Sequence, residues 1–514
     1  MSFYRRNHKE FSFILLFVFL KLALHFFANS NFGFHRDEFL YMALGEHLDW
    51  GFQEVPPFIA GVSWLSTNVF GDSVFAARVI STFFGALIVF LTGLTVLALN
   101  GKRLAIAIAC MAVIISPAFL ASGYLLQPVV FDQFFWVLAA YLIVRYIKTY
   151  QNQYLYALGF TAGFGMLNKY SIAFYILALL IALLITPQRK ILLNKAWLGA
   201  AGIAFLIFLP NLLWQINHDF PVLKHMNELK ETQLNFIDPI DFVLQQLLVH
   251  GTASIVWITG FIYLFFSRTL RQFRFLALSY VVVILLLIFL QGKSYYSFGA
   301  YPVLFAVGGM AVSRILSRLQ NSLKYAVVTL ILLPSIIFLP IAIPILPFNA
   351  TLKFFEFTSN EMKLTFPLKW EDQQLHATTQ DYADMLGWEE LSMQVSKTYR
   401  LIPENERALT TIFANNYGQA GALDHFRKKY ALPATVCLSS SYALWAPEKI
   451  NTRHLIYIDD EYPDDLQPAF KKVVKISQIE NPYAREKGTS VYLLSYPIES
   501  ILPIYQQHRL EALN

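Results

Sequence analysis

Residues 11–48 read FSFILLFVFLKLALHFFANSNFGFHRDEFLYMALGEHL. The stretch begins with an apolar run of about the length that crosses the hydrocarbon of a bilayer. Arg36, Asp37 and Glu38 then follow side by side, and the apolar residues after them recur at helical spacing. This second pattern predicts an amphipathic helix that lies along the membrane surface. The stretch therefore predicts a membrane span whose end presents two adjacent carboxylates.

The rest of the chain repeats the apolar pattern. Of its 514 residues, 56% are hydrophobic and only 14% are charged, whereas soluble globular chains are about a quarter charged. Apolar runs long enough to span a bilayer recur along the first two-thirds of the chain. They predict an all-α polytopic membrane domain with about eleven transmembrane spans. The predicted spans are 11–29, 78–99, 104–122, 129–147, 154–168, 171–186, 196–214, 251–267, 274–291, 299–316 and 325–345.

Basic residues fall on one side of this arrangement. Arg5, Arg6 and Lys9 precede the first span, and further Lys and Arg residues follow the second, fourth, sixth, eighth and tenth spans. Because cytoplasmic loops carry the excess of Lys and Arg, we expect a cytoplasmic N-terminus. An odd number of spans then places both the RDE stretch and the C-terminal region outside. The net charge of +6 follows from this topology, so no nucleic-acid partner is expected.

The chain divides into two predicted domains. Residues 1–345 form the membrane domain, with two large outer loops at 30–77 and 215–250, and residues 352–514 form a small soluble α/β domain outside the membrane. Alternating apolar residues predict the strands of this second domain, and helical periodicity predicts its helices. The strands are LTTIF, RHLIYI, FKKVVKI and SVYLLSY, and the helices are 386–402 and 418–430.

Further charged residues lie at the predicted outer ends of later spans. Asp132 begins the fourth span, Lys169 ends the fifth, and Lys293 ends the ninth, followed by Tyr295 and Tyr296. Charged residues within the hydrocarbon are costly and usually functional. Each one alone is equally compatible with an interfacial anchor, and the two adjacent carboxylates are compatible with a favourable place at a helix N-terminus. Together, however, they predict one membrane face that holds both acids and bases.

This combination suits the transfer of a sugar from a lipid-linked phosphate. Such a donor has its phosphate at the level of the headgroups. Transfer needs a carboxylate that accepts the proton of the acceptor hydroxyl and cations that stabilise the departing phosphate. Asp37 is the predicted base and Asp132 the reserve candidate. The predicted partners of the phosphate and lipid are Arg36, Lys169, Lys293, Tyr295 and Tyr296, and His218 is predicted on the acceptor side.

The ordered motifs resemble the GT-C glycosyltransferases of family 39 type, which include protein O-mannosyltransferases and the bacterial aminoarabinose transferase that modifies lipid A. The motifs are RDEFLY, EVPPFIAGVSWL, FDQFFW, GFGMLNKYS and GKSYYSFGAYPVLFAVGG, in that order. The resemblance implies an inverting transferase in which Asp37 is the catalytic base and Glu38 its neighbour. It also implies a polyprenyl-phosphate sugar donor, surrounding membrane lipids, and a lipid or protein acceptor at the outer face of the bacterial inner membrane. Several relatives carry Lys or His just before Pro-Pro, where the nearby charge here is Glu54, so Lys169 and Lys293 are expected to hold the phosphate.

Other interpretations stay open at this point. A lipid or solute transporter also has many helices, but mid-span charges or broken helices in paired halves are typical of it. A polyprenyl-linked glycan ligase or polymerase would centre on a large outer loop with Arg and His. No cofactor is expected to be required, although a divalent metal stays an alternative because His218, Asp219 and His225 are metal-ligand types without a strong zinc spacing. The NNYGQAG turn is compatible with anion binding at a helix N-terminus or with a simple capped connection.

Overall fold

The computed structural model describes residues 7–513, and its helices are followed by a small C-terminal sheet. Arg5 and Arg6, which belong to the predicted cytoplasmic end, lie outside the described residues. The helices of the N-terminal part are α1 His8–Ala28, α2 Arg36–Glu46, α3 Phe58–Phe70, α4 Val74–Ala98, α5 Arg103–Ile115, α6 Pro117–Ala121, α7 Pro128–Thr149, α8 Gln153–Asn168 and α9 Ser171–Leu184. They continue with α10 Ala196–Asn217, α11 Pro221–Thr232, α12 Pro239–Leu248, α13 Ser254–Phe266, α14 Phe275–Phe289, α15 Tyr301–Ile315, α16 Asn321–Leu332 and α17 Leu339–Ala342.

Every one of the predicted spans overlaps a helix. Within residues 7–513, seven helical segments are long and apolar enough to cross a membrane, or up to nine if two bent pairs each count as one span. The pairs are α9 with the 3-10 helix Pro187–Leu193, bent by 115°, and α12 with Gly251–Phe266, bent by 97°. The remaining two predicted spans correspond to α5 with 13 residues and α8 with 16 residues. Hydropathy therefore located a helix at every predicted span, and two of these helices, α5 and α8, are shorter than the roughly 20 residues typical of a span.

The spans differ in how much protein surrounds them. The apolar windows of α4 and α7 are 72% and 89% buried, whereas those of α1 and α10 are 28% and 17% buried. Apolar side chains that protein does not cover can still lie in lipid, because lipid tails are as apolar as leucine. Helices α4 and α7 are therefore central, and α1 and α10 lie at the periphery of the bundle.

The C-terminal region is a five-stranded mixed sheet with helices. The strand order is β2-β1-β3-β5-β4, in which β1 is parallel to β2 and β3, and β5 is antiparallel to β3 and β4. The predicted strands and both predicted helices are confirmed, whereas the two-residue strand β2 was missed. The boundary proposed at 345–352 stays a prediction. The elements are β1 Thr410–Ala414, β2 Thr435–Val436, β3 His454–Asp459, β4 Phe470–Gln478, β5 Ser490–Pro497, and the helices α18 Phe348–Asn360, α19 Gln380–Ala383, α20 Trp388–Leu401, α21 Tyr417–Tyr430, α22 Tyr442–Trp445 and α23 Leu502–Leu513.

The apolar face of α2 contacts this C-terminal domain. Phe39, Leu40 and Leu44 are buried, and the ring of Phe39 lies 5.7 Å from that of Trp388 in α20 and 6.5 Å from that of Phe426 in α21. The expectation that this face lies on the membrane surface was wrong, because the C-terminal domain covers it. The RDE stretch and the C-terminal domain consequently share one side of the helical bundle, as the topology argument expected.

Candidate active site at the end of the first span

A capping box begins α2 and sets the directions of its first side chains. The backbone N–H of His35 donates to the Glu38 carboxylate over 2.8 Å, and the backbone N–H of Asp37 donates to His35 Nδ1 over 3.2 Å. These bonds satisfy N–H groups that a helix leaves unpaired at its first turn. Neighbouring residues on a helix point about 100° apart, so the two carboxylates face different surroundings.

Glu38 faces inward and pairs with Arg78 of α4. Both side chains are fully buried, and the guanidinium binds both carboxylate oxygens, with Nε–Oε1 and Nη2–Oε2 distances of 2.9 and 2.7 Å. Arg78 also donates to the carbonyls of Asn29 and Gly33, and Glu38 Oε1 accepts the N–H of Leu126 over 3.0 Å. The pair therefore joins the end of α1, the start of α2, the body of α4 and the loop before α7.

Asp37 is only half-buried, and neutral donors hold it. The hydroxyl of Tyr417, in α21, donates to Asp37 Oδ1 over 2.9 Å, and Gln127 Nε2 donates to Oδ2 over 3.1 Å. The guanidinium of Arg36 lies 4.8 Å from the centre of the Tyr417 ring. A carboxylate held by neutral donors at the edge of a bundle is oriented while it keeps its capacity to accept a proton.

A second acid, Glu54, acts electrostatically on the same tyrosine as Asp37. Burial raises the pKa of Tyr41, on the next turn of α2, and the negative charges of Asp37 and Glu54 raise it further. Glu54 Oε2 accepts the hydroxyl of Ser441 over 2.6 Å. Its Oε1 is buried and has no hydrogen-bond partner among the described residues, and burial raises the pKa of Glu54 to about 7. Such a group has capacity for the hydroxyl of a bound sugar.

Asp132 and Lys169, the acid and base predicted at the ends of later spans, lie within electrostatic range of each other. Asp132 is buried at the start of α7, accepts the indole N–H of Trp136 over 3.0 Å, and interacts electrostatically with Lys169. The ammonium of Lys169 lies 4.9 Å from the ring centre of Tyr295 and 4.3 Å from that of Tyr296. Three of the predicted outer segments therefore converge here.

Lys293 completes this group of cations. Its Nζ donates to Gln233 of the second outer loop, and its charge acts on Lys169. Tyr295 interacts electrostatically with both Asp37 and Asp132. Tyr295 thus interacts both with Lys169 and with Asp37.

His218 lies apart from these contacts. It is exposed at the C-terminal end of α10, where its ring stacks on Trp214 at a centroid distance of 4.0 Å. Trp214 in turn donates to Asp49 over 2.9 Å. Across residues 7–513, no group of three or more His, Cys, Asp or Glu side chains is arranged to hold a metal ion.

Sequence reasoning missed four residues of this site. Arg78 is the only charged residue in α4, and a lone charge in an apolar span is a recognisable signal of function. Tyr41 is recognisable from its place one helical turn after Asp37. Tyr417 lies within the NNYGQAG motif and Gln127 lies shortly before the FDQFFW motif, but only the folded chain brings them to Asp37.

The buried ion pair generates the first prediction. Glu38→Gln leaves the Arg78 guanidinium buried without a counter-charge, so the free energy of unfolding should fall by about 3–5 kcal/mol. Thermal unfolding of the purified protein in detergent measures this change. The control is Glu389→Gln, which removes the acid of the exposed ion pair with Lys429 and should change stability little.

A double variant tests the same pair. Arg78→Met combined with Glu38→Gln should cost less than the two single changes added together, because no uncompensated charge stays buried. Simple additivity of the three unfolding measurements would contradict a coupled pair.

Glu54 generates a prediction about pH. Its pKa in the folded protein is about 7, above its ordinary value of 4.5, so between these values the folded state binds more protons than the unfolded state. The free energy of unfolding therefore falls as pH rises from about 4.5 to about 7 and levels off above that. Glu54→Gln should reduce the fall in melting temperature between pH 5 and pH 8. Exposed Glu361 supplies the control variant Glu361→Gln, and an unchanged fall in Glu54→Gln would show that the carboxyl is ionised in both states.

Known proteins share both sequence and fold with this chain. A family model described as "Dolichyl-phosphate-mannose-protein mannosyltransferase" matches residues 54–214. Lipid A galacturonosyltransferase RgtD of Rhizobium johnstonii is 25% identical over 235 residues, which cover 42% of this chain and 46% of that protein. The match thus spans less than half the length of this curated relative.

Two solved structures share the fold over nearly the whole chain. ArnT from Cupriavidus metallidurans bound to undecaprenyl phosphate matches with a TM-score of 0.63 at 13% identity, over 94% of this chain and 98% of that chain. Its apo state matches with a TM-score of 0.58 at 14% identity, over 94% and 97% of the two chains. The shared fold, the family match and the curated relative together confirm the resemblance to GT-C glycosyltransferases that the sequence motifs indicated.

Proposed function

We propose that this protein transfers a sugar from a polyprenyl-phosphate donor to a lipid or protein acceptor at the outer face of the bacterial inner membrane. The observation that carries the proposal is Asp37, a half-buried carboxylate that neutral donors hold at the end of the first span. ArnT was solved with undecaprenyl phosphate, which supports a polyprenyl-phosphate donor. RgtD is a lipid A galacturonosyltransferase, which favours lipid A as the acceptor.

Asp37 is the proposed general base of an inverting, single-displacement reaction. The acceptor oxygen forms a bond to the anomeric carbon of the sugar while the bond from that carbon to the donor phosphate oxygen breaks. The acceptor proton passes to Asp37, and the bonding electron pair leaves with the polyprenyl phosphate. Because a phosphate is a good leaving group, the protein mainly has to activate and orient the acceptor.

Lys169 and Lys293 are the proposed partners of the donor phosphate. Each ammonium lies within electrostatic range of the other, so an anion bound between them would relieve their mutual repulsion. They would also stabilise the charge that develops on the leaving phosphate. Tyr295 and Tyr296, which flank Lys169, are proposed to contact the lipid or the sugar, and Arg36 is proposed as a third cation.

The other acids have separate proposed roles. Glu38 is proposed to position Asp37, because its carboxylate binds Arg78 and two backbone N–H groups in the part of the chain that the structure describes. Asp132 stays the reserve base, and Glu54 is proposed to bind a sugar hydroxyl through its free oxygen. His218 stays a proposal for the acceptor side, with only its exposed position in support.

We also propose that the N-terminus is cytoplasmic and that the active site lies outside. The basic residues at the ends of even-numbered spans support this orientation. Labelling of introduced cysteines with a membrane-impermeant reagent tests it, since residue 72 should react in intact spheroplasts and residue 102, at the other end of α4, should not.

The mechanism predicts the effect of Asp37→Asn. Loss of a general base typically costs about 10²–10⁴-fold in rate, so turnover should fall on that scale while donor binding and melting temperature stay near wild type. Purified variants are assayed with radiolabelled undecaprenyl-phosphate galacturonate and undecaprenyl-phosphate mannose, with lipid A as the acceptor. Exposed Asp72 provides the matched control, Asp72→Asn, which should be fully active.

Asp132→Asn separates the two candidate bases. Full activity in Asp37→Asn with loss only in Asp132→Asn would move the base to α7. If both variants kept wild-type turnover, the proposed mechanism would be wrong.

The phosphate assignment predicts weaker donor binding in lysine variants. Lys169→Ala and Lys293→Ala each remove a charge-assisted contact worth about 1.5–3 kcal/mol, so the Kd for undecaprenyl phosphate should rise about 10–100-fold. Isothermal titration in detergent measures this Kd. Lys224→Ala, on an exposed part of the second outer loop, is the control, and unchanged affinity in the Lys169/Lys293 double variant would exclude this phosphate site.

A further inference from the structure

Helix α21 of the C-terminal domain approaches α2 closely. Asn416 caps α21 by accepting the N–H of Gln419 over 3.0 Å. Gly421 lies against Phe39 of α2, and a Cβ at residue 421 would be 2.6 Å from the Phe39 Cβ. The NNYGQAG segment is therefore a capped connection, and its last glycine lets the two helices approach closely.

The first residue of α21, Tyr417, reaches Asp37 through this contact. Its hydroxyl donates to Asp37, and its ring packs under the guanidinium of Arg36. Burial and the negative charge of Asp37 raise the pKa of Tyr417, so the phenol keeps its proton and acts as the donor. One side chain thus contacts both the proposed base and a proposed phosphate partner.

The groups around Asp37 come from several elements. Gln127 donates from the loop before α7, while Tyr417 donates from the C-terminal domain. The titratable or charged groups that face Asp37 are Arg36, Tyr41, Tyr295 and Tyr417, with Glu54 near Tyr41 and Asp384 near Tyr417.

The same domain also holds the second acid of the outer loop. The hydroxyl of Ser441 donates to Glu54 Oε2 over 2.6 Å and accepts the backbone N–H of Gln53 over 3.0 Å. A short distance away, His47 at the end of α2 stacks on Trp445 at a centroid distance of 4.3 Å. The C-terminal domain therefore supplies a hydroxyl to each of the two acids.

We propose that Tyr417 is a positioning residue of the active site, and that its hydroxyl holds and orients the Asp37 carboxylate. The catalytic role of Asp37 rests on the proposed function, whereas the hydrogen bond between Tyr417 and Asp37 is independent of it. The C-terminal domain is then part of the active site, and its docking on α2 completes the surroundings of the base. Without the phenol, Gln127 is the one remaining donor to the Asp37 carboxylate among residues 7–513.

Tyr417→Phe isolates the hydroxyl, because the ring that packs on Arg36 is retained. A hydrogen bond to a carboxylate favours its ionised form, so its loss should let the protonated form persist to higher pH. A water-soluble carbodiimide with glycine ethyl ester modifies protonated carboxyls, and peptide mass spectrometry quantifies modification at Asp37 of the full-length protein in detergent. The pH of half-maximal modification should rise by about one unit in Tyr417→Phe.

Tyr430→Phe is the matched control, because Tyr430 ends the same helix and donates to Glu389 at the surface. Tyr430→Phe also removes one phenol hydroxyl from α21, but far from Asp37, so the midpoint at Asp37 should stay at the wild-type value. Gly421→Ala provides a second variant, since its Cβ would push α21 from α2 and should raise the midpoint in the same direction.

The outcomes separate this inference from the proposed function. An unchanged midpoint in both Tyr417→Phe and Gly421→Ala overturns the positioning role, whatever the activity of Asp37→Asn. A raised midpoint together with full activity of Asp37→Asn would overturn the catalytic role of Asp37 and leave Tyr417 as a partner of that carboxylate. A raised midpoint with loss of turnover in Asp37→Asn supports both.

Discussion

The buried ion pair between Glu38 and Arg78 is the constraint on which the site depends. Taking two charges out of water is costly, and their mutual attraction offsets this cost only with excellent geometry and additional hydrogen bonds. Here the guanidinium binds both carboxylate oxygens and two backbone carbonyls, and the carboxylate accepts two backbone N–H groups. The pair requires α1, α2, α4 and the loop before α7 to keep one relative arrangement.

This arrangement explains why two carboxylates stand side by side at the end of the first span. Glu38 is fully buried and its oxygens are occupied, whereas Asp37 is half-buried and contacts the neutral groups of Tyr417 and Gln127. Because the helix rotates about 100° per residue, Glu38 points into the buried ion pair while Asp37 points to neutral donors, which suits its proposed role as the base. Glu38 accepts the N–H of Leu126, and the next residue, Gln127, donates to Asp37. Glu38 therefore helps to place a hydrogen-bond donor of Asp37.

The sequence was sufficient to predict the secondary structure, which depends on local patterns of apolar residues. Hydropathy located a helix at every predicted span, and alternation located four of the five strands, because both periodicities follow from backbone geometry. Contacts between distant residues were not accessible in this way: Tyr417 meets Asp37 across 380 positions of the chain. The apolar face of α2 was assigned to the membrane because an amphipathic pattern is the same whether protein or lipid covers it. Likewise, the bends at Pro187 and Gly251 do not alter the hydropathy of the segments around them.

The separation of charge in the site fits the two movements that sugar transfer requires. A proton has to leave the acceptor, and a phosphate has to leave the sugar. Asp37 is held by neutral donors, which orient a carboxylate without neutralising it, while Lys169 packs on the Tyr295 ring and is within electrostatic range of Lys293. A lysine bound directly to Asp37 would weaken it as a base, whereas the carboxylate that acts on Lys169 is that of Asp132. Arg36 precedes Asp37 in the chain, and its packing on the Tyr417 ring connects this third proposed cation to the C-terminal domain. The docking of that domain therefore bears on both halves of the proposed reaction.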